Sequence, residues 1–263
     1  MDLTERLAGR RVLVTGGGTG IGRATCVRLA EEGAAVAVTD VRPEEAAETV
    51  RLVEAAGGSA TAYELDVTDE SATQRVLAEA SEMMGGLDGL FANAGITTGG
   101  RIQELTLDDW HRVIAVNLTG PFLSIKHALP YLIESGGGAI VATGSVSSVV
   151  NGLGGGAVSY KASKGGVLQI IRVVATEHAD DGVRANCVCP GFVATKIVDH
   201  AIETADATTT PRSEHRPSSR VRPPISRAGD PSEIASVVAF LLSEDASFMT
   251  GSAVMADGGY TSI

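Results

Sequence analysis

Tyr160 and Lys164 stand four residues apart in Tyr160-Lys161-Ala162-Ser163-Lys164, at the head of an apolar-periodic run (Val167, Leu168, Ile170, Ile171, Val174) that predicts a helix. On a helix that spacing puts both side chains on one face, with Cβ atoms about 5–6 Å apart. A free phenol ionises near pH 10 and is a poor base at neutral pH. A fixed ammonium beside it favours the phenolate. Such a pair can exchange a proton with an alcohol or carbonyl oxygen. A lone Y-x-x-x-K also occurs as a surface tyrosine near a solvated lysine, so its meaning depends on what the rest of the chain places around it.

The elements that must do the placing alternate. Arg11 to Thr15, Ala35 to Asp40, Ala60 to Leu65, Leu87 to Ala92, Ala139 to Thr143, Val183 to Val188 and Ala253 to Ala256 read as strands. Between them, helical patterns cover Ile21 to Glu32, Glu44 to Ala56, Ser71 to Met84, Ser159 to Ala179 and Ser232 to Leu242. Leu107 to Val116 and Phe122 to Ile133 read as two helical stretches with Pro121 between them. Short connections and largely continuous apolar strands predict a single doubly wound α/β domain over residues 1–263, with a mostly parallel sheet of about seven strands and helices on both faces. Ala201 to Ser226 is rich in Thr, Pro, Arg and Ser and poor in large apolar side chains. It reads as a flexible insertion, around 193–228, over the carboxyl edge of the sheet.

The first strand ends in Thr15-Gly16-Gly17-Gly18-Thr19-Gly20-Ile21-Gly22, directly before the first helix. Glycines there permit a tight turn and let backbone approach a pyrophosphate, which the helix N-terminus stabilises. The spacing is T-G-x-x-x-G-x-G, with Gly16, Gly20 and Gly22 as its fixed points. Asp40 ends the second strand, where a carboxylate accepts from an adenosine ribose and repels a 2′-phosphate. Arg42 nearby argues the other way, but Thr19 and the absence of a basic residue in the loop favour NAD over NADP.

Composition excludes several classes. A net charge of −11 argues against nucleic acid or an anionic membrane as partner. The uncharged stretch between Glu134 and Lys161 holds eight glycines and is a strand and loop, not a span. The first residues lack a basic region followed by an apolar run, so no signal peptide is expected. Cys26, Cys187 and Cys189 form no C-x-x-C and read as buried small hydrophobes, which fits a reducing cytoplasm. His111, His127, His178, His200 and His215 are scattered without metal-site spacing, so no metal is expected. Arg212, Arg216, Arg220 and Arg222 read as a solvated loop rather than an anion site.

Taken in order, these motifs resemble the short-chain dehydrogenase/reductase family over nearly the whole chain, which implies a Rossmann fold. The loop from Thr15 to Gly22 is similar to the family's cofactor loop, implying contacts from Gly16, Thr19, Gly20 and Ile21. Asp66-Val67 is similar to the pair that flanks the adenine, and Asn93-Ala94-Gly95 to the N-A-G motif after strand four. Asn117 matches the helix asparagine that supports a water-linked proton relay to the lysine, and Tyr160 with Lys164 matches Y-x-x-x-K. Pro190-Gly191 matches the P-G turn, implying that Val193 and Thr195 hold the nicotinamide amide and a neighbouring phosphate. The resemblance further implies a serine at the end of strand five on the substrate oxygen, Tyr160 as general acid/base, Lys164 holding the nicotinamide ribose, and a homo-oligomer, a tetramer, with Asp257 to Tyr260 near a neighbouring subunit.

The family's usual spacing from the tyrosine gives Ser147 as that serine. Alignment from the strand, Ile140-Val141-Ala142-Thr143-Gly144-Ser145, gives Ser145. A strand holds its position better than a loop count does, because loops absorb insertions, so Ser145 is preferred with Ser147 as the rival. The expected activity is an NAD-dependent oxidoreductase of a secondary alcohol or its ketone. The alternatives are an NADPH-dependent 3-oxoacyl reductase and a non-catalytic dinucleotide-binding scaffold. Ile96, Leu153 and Phe192 would give a partly apolar substrate wall.

Overall fold

In the computed structural model, residues 5–151, 157–195 and 223–262 are described. The insertion expected around 193–228, its arginines 212 to 222, His200, His215 and Leu153 therefore fall wholly or largely outside the described residues.

Among the described residues, seven strands form one sheet: β1 (Arg11–Thr15), β2 (Ala35–Asp40), β3 (Ser59–Glu64), β4 (Gly89–Ala92), β5 (Gly138–Thr143), β6 (Val183–Pro190) and β7 (Ala253–Ala256). Their order is β3-β2-β1-β4-β5-β6-β7, and every pair is parallel, so the expected "mostly parallel" sheet is wholly so. The order reverses between β1 and β4, which opens a crevice at their carboxyl ends, where ligands of such sheets bind.

Alternate strand residues feed two cores. Val12 and Val14 of β1 pack with α1 (Gly20–Glu31), α2 (Pro43–Ala55) and α7 (Pro231–Leu242). Leu13, between them, faces α3 (Glu70–Met84), α5 (Gly120–Glu134) and α6 (Val158–Glu177). Full burial of one such leucine stabilises by roughly 1.5–3 kcal/mol. β3 departs from the expected continuous apolar run. It is the sheet's edge, and its residues are half-buried or exposed.

The two helices expected around Pro121 are joined. α4 (Leu107–Ile114) passes through a π turn, Ala115–Thr119, straight into α5. Pro121 falls in the first turn of α5, where a missing N–H is tolerated. It cannot give the carbonyl of Asn117 the N–H that an α-helix would supply from four residues on. The extra residue in the π turn thus comes where Asn117 projects inward, fully buried.

Candidate active site

The glycine loop is shaped by close backbone contacts. Gly16 and Gly20 have φ of 61° and 52°, the region that favours glycine. A Cβ on Gly22 would lie 1.9 Å from the Gly16 carbonyl oxygen, so no side chain fits between loop and helix. Thr19, extended, precedes α1, whose first turn carries no acidic side chain. Ile21 packs on the core below, and the methyl of Thr195 lies 3.3 Å from where a Gly20 Cβ would stand. These features fit a dinucleotide pyrophosphate: a side-chain-free cradle with helix N–H groups facing it.

Asp40, at the carboxyl end of β2, is almost fully buried. Its Oδ2 accepts the Gly18 N–H at 3.0 Å and its Oδ1 the Arg42 N–H at 3.1 Å, while Arg42 Nε lies 3.8 Å from Oδ1. The carboxylate is therefore held in place beside the loop. Asp66 is exposed at the end of β3, and Val67 is buried against Gly120. On the next strand, Asn93 donates from Nδ2 to the Gly16 carbonyl at 3.0 Å. The Asn93 and Ala94 N–H groups reach the Thr15 hydroxyl at 3.0 and 3.2 Å. A Cβ on Gly95 would stand 3.5 Å from both Asn117 Oδ1 and Lys164 Nζ, so this glycine lies where those two side chains converge. At the far side of the crevice, the Gly191 N–H donates to the Ala256 carbonyl at 3.1 Å. Pro190 ends β6, and Val193 bridges to Gly229.

Tyr160 and Lys164 share one face of α6, with the ammonium 5.7 Å from the ring centre. Lys164 is buried, and its Nζ donates to the Thr143 carbonyl at 2.6 Å. Burial pulls its pKa down to about 8, with the Cys187 and Cys189 thiols pushing the other way. The Ser145 side chain stands near enough to the Tyr160 phenol to influence its titration. Burial raises the phenol above its ordinary value, Ser145 pulls it back, and Cys189 pushes it up. Lys164 is not among the groups that move the phenol, so the lowering expected from a neighbouring ammonium is not found, and burial decides the direction.

Ser145 follows β5 and is buried; its Oγ accepts the Ser147 N–H at 3.1 Å. Asn117 clamps the backbone of Ile96, accepting its N–H at 2.8 Å and donating to its carbonyl at 2.8 Å. Its Nδ2 also reaches Ser163 Oγ at 3.3 Å, and Ser163 donates to the Tyr160 carbonyl at 2.7 Å. Of the expected apolar wall, two residues are described: the Ile96 main chain is held by Asn117, and Phe192 is 78% exposed. All three cysteines are free and buried, as their neighbours in sequence suggested. Among the described residues, no group of three or more His, Cys, Asp or Glu is placed to hold a metal ion. No helix there is long and apolar enough to cross a membrane.

Three residues of this centre were not anticipated. Thr15 and Thr143 close the network between glycine loop and lysine, the Thr143 hydroxyl donating to Asn93 Oδ1 at 3.0 Å. Ser148 donates to the Lys164 carbonyl at 2.8 Å. Both threonines end parallel strands flanking the crevice, and that position was a usable signal.

A family model described as enoyl-(acyl carrier protein) reductase matches residues 16–261. Cyclohexanol dehydrogenase of Acinetobacter sp. (strain SE19) is 36% identical over 99% of this chain and 98% of its own. The chain belongs to the short-chain dehydrogenase/reductase family. Meso-2,3-butanediol dehydrogenase of Serratia marcescens is 39% identical over 97% and 96% of the two chains. A crystal structure described as a short-chain dehydrogenase/reductase of Burkholderia xenovorans superposes with a TM-score of 0.88 at 37% identity, covering 98% of this chain and 99% of that one. As a member of the short-chain dehydrogenase/reductase family, this chain is an oxidoreductase that uses a nicotinamide dinucleotide and acts on CH–OH groups.

Proposed function

We propose that the protein is an NAD-dependent dehydrogenase/reductase that interconverts a secondary alcohol and its ketone, with Tyr160 as general acid/base. One observation carries this reading: Tyr160 shares a helix face with a buried Lys164, whose ammonium ends on the Thr143 carbonyl two residues before Ser145, at the rim where the glycine loop opens. The nicotinamide, when bound, accepts or supplies the hydride. Tyr160 takes the proton from the alcohol oxygen or returns it to the carbonyl oxygen. Ser145 donates to that oxygen as its charge develops. Lys164 supplies the positive charge that favours the phenolate against its burial and holds the nicotinamide ribose. Asn117 is locked onto Ile96 and its side chain converges with Lys164 at Gly95; it supports the water-linked proton relay to the lysine.

Gly16, Thr19, Gly20 and Ile21 would cradle the pyrophosphate, Asp40 the adenosine ribose, and Asp66 and Val67 the adenine. Asn93, Ala94 and Gly95, with Tyr160 and Lys164, would line the nicotinamide ribose. Pro190, Gly191, Val193 and Thr195 would hold the nicotinamide end. Asp40 supports NAD over NADP, because a second negative charge would meet a buried carboxylate. The names of the Acinetobacter and Serratia relatives support ring alcohols and vicinal diols as the substrate class. The family model's description favours an acyl reductase instead, against which Asp40 weighs for an NADPH-dependent form. A cytoplasmic homo-oligomer, a tetramer, completes the proposal, supported by buried free thiols and by family resemblance.

The test is a panel of cyclic and vicinal secondary alcohols given to the purified protein with NAD⁺ or NADP⁺, following absorbance of the reduced nicotinamide. Turnover with NAD⁺ that falls by about 10²–10⁴-fold in Tyr160→Phe is expected. Full turnover by that variant would overturn the catalytic reading, and a preference for NADP⁺ the cofactor reading.

A further inference from the structure

The turn after β5 carries three serines that meet different neighbours. Ser145 presents its hydroxyl to Tyr160. Ser147 supplies its main-chain N–H to Ser145 Oγ at 3.1 Å. Ser148, at the end of the 3₁₀ turn Val146–Ser148, does something else. Its Oγ accepts the Ser145 N–H at 3.2 Å and donates to the Lys164 carbonyl at 2.8 Å. One hydroxyl therefore ties the main chain of the residue facing the tyrosine to the main chain of the residue carrying the ammonium.

The surroundings leave this hydroxyl little freedom. A Cβ on Gly144 would lie 3.0 Å from Ser148 Oγ, 2.6 Å from Cys187 Sγ and 3.1 Å from Cys189 Sγ. Both sulfurs are fully buried and 3.9 Å apart. The turn thus rests on two thiols beneath and is fastened by Ser148 to α6 beside it. Beyond the turn, Val149 and Val150 are exposed, and α6 is entered through Ala157 in the left-handed region, φ 55°.

We propose that Ser148 is a positioning residue of the reaction: its hydroxyl sets the distance between Ser145 and the Tyr160–Lys164 face. The proposal rests on the roles given above to Ser145 and Tyr160. A proton donor displaced by about an ångström can cost on the order of 10²-fold in rate. Ser148 holds the β5 turn and α6, two successive elements of the chain, to a common spacing. The Ser145 side chain also favours the Tyr160 phenolate, so moving it away should shift the tyrosine's titration to higher pH.

The experiment compares Ser148→Ala, Ser148→Thr, Ser147→Ala and Tyr160→Phe in the purified full chain, oxidising an alcohol that the wild-type protein turns over, across pH. Ser148→Ala is expected to lower kcat by about 5–30-fold, with KM for the dinucleotide within about twofold. The acid limb of kcat/KM should shift to higher pH, since that limb reports the base of the free enzyme. Ser148→Thr keeps the hydroxyl and should restore most of both. Ser147→Ala keeps its main-chain N–H and should resemble wild type. A lowered melting temperature with wild-type kcat and an unshifted limb would reduce Ser148 to a structural part and overturn the proposal, as would equal losses in Ser147→Ala. If Ser148→Ala does not fold, Ser148→Cys under reducing conditions replaces it: intermediate kcat supports the proposal and wild-type kcat overturns it. Failure of the underlying reading shows separately, as turnover surviving in Tyr160→Phe.

Discussion

Lys164 Nζ lies 2.6 Å from the main-chain oxygen of Thr143, so a helix side chain crosses the crevice to end on a strand carbonyl. The same threonine gives its hydroxyl to Asn93, which in turn holds Gly16. The lysine and the glycine loop are therefore connected by three consecutive hydrogen bonds across β5, β4 and β1.

That buried ammonium costs stability in a pH-dependent way. Its folded pKa of about 8 lies below the unfolded value of about 10.4, so between these values the unfolded chain binds more protons. The cost is full below pH 8 and fades as pH rises toward 10.4. Lys164→Met should therefore gain most over wild type near pH 7, on the order of 2–3 kcal/mol less the cost of the Thr143 carbonyl left unpaired. Urea unfolding without dinucleotide at pH 7 and pH 10 measures this; a gap that widens with pH would contradict it.

Asp40→Asn removes a charge but keeps an acceptor for the Gly18 N–H. The ratio of kcat/KM for NADP⁺ over NAD⁺ should rise by about 10–100-fold, the scale of one partly screened charge–charge repulsion. An unchanged ratio would place cofactor choice elsewhere.

Gly22→Ala forces a methyl to within 1.9 Å of the Gly16 oxygen and 2.8 Å of Asn93 Nδ2. Neither neighbour is the loose end of a side chain, so the loop must move. Calorimetry should show a loss of about 1–3 kcal/mol, the ordinary cost of overpacking, and titration fluorimetry a large loss of NADH affinity. Wild-type affinity would mean that the cradle tolerates rearrangement.

Asn117 both gives to and takes from Ile96. Asn117→Ala leaves two half-buried main-chain groups of Ile96 without their partner, at up to about 1–3 kcal/mol each. Asn117→Asp should be worse, because a carboxylate would face the Ile96 carbonyl without a proton to offer. Chemical denaturation of the two variants ranks them, and the reverse order would argue against the clamp.

Much of this was readable beforehand for identifiable reasons. β1, β2 and β7 end where the sequence analysis placed them, because β-rich apolar runs stop at glycine or a turn residue. Their glycine loop, Asp40 and the Tyr160–Lys164 face follow from local spacing alone. The π turn did not, since a 3.6-residue period presumes no inserted residue and Pro121 looked like a break. Nor did the rise in the Tyr160 pKa, which depends on burial by residues distant in sequence. Ser148 was passed over because three hydroxyls in one short turn look alike until their partners on α6 are known.

The seven strands all point one way, so the glycine loop, Asp40, Asn93, Ser145 and Gly191 leave the sheet along a single rim. The opposite rim is marked by the Arg11–Asp88 ion pair and an open cleft beside Glu82 and Glu134. It contributes none of the residues assigned here to catalysis or binding. A resin linker or a fused partner attached there would leave the working face turned to solution, so the enzyme's orientation on a support can be chosen without redesigning its chemistry.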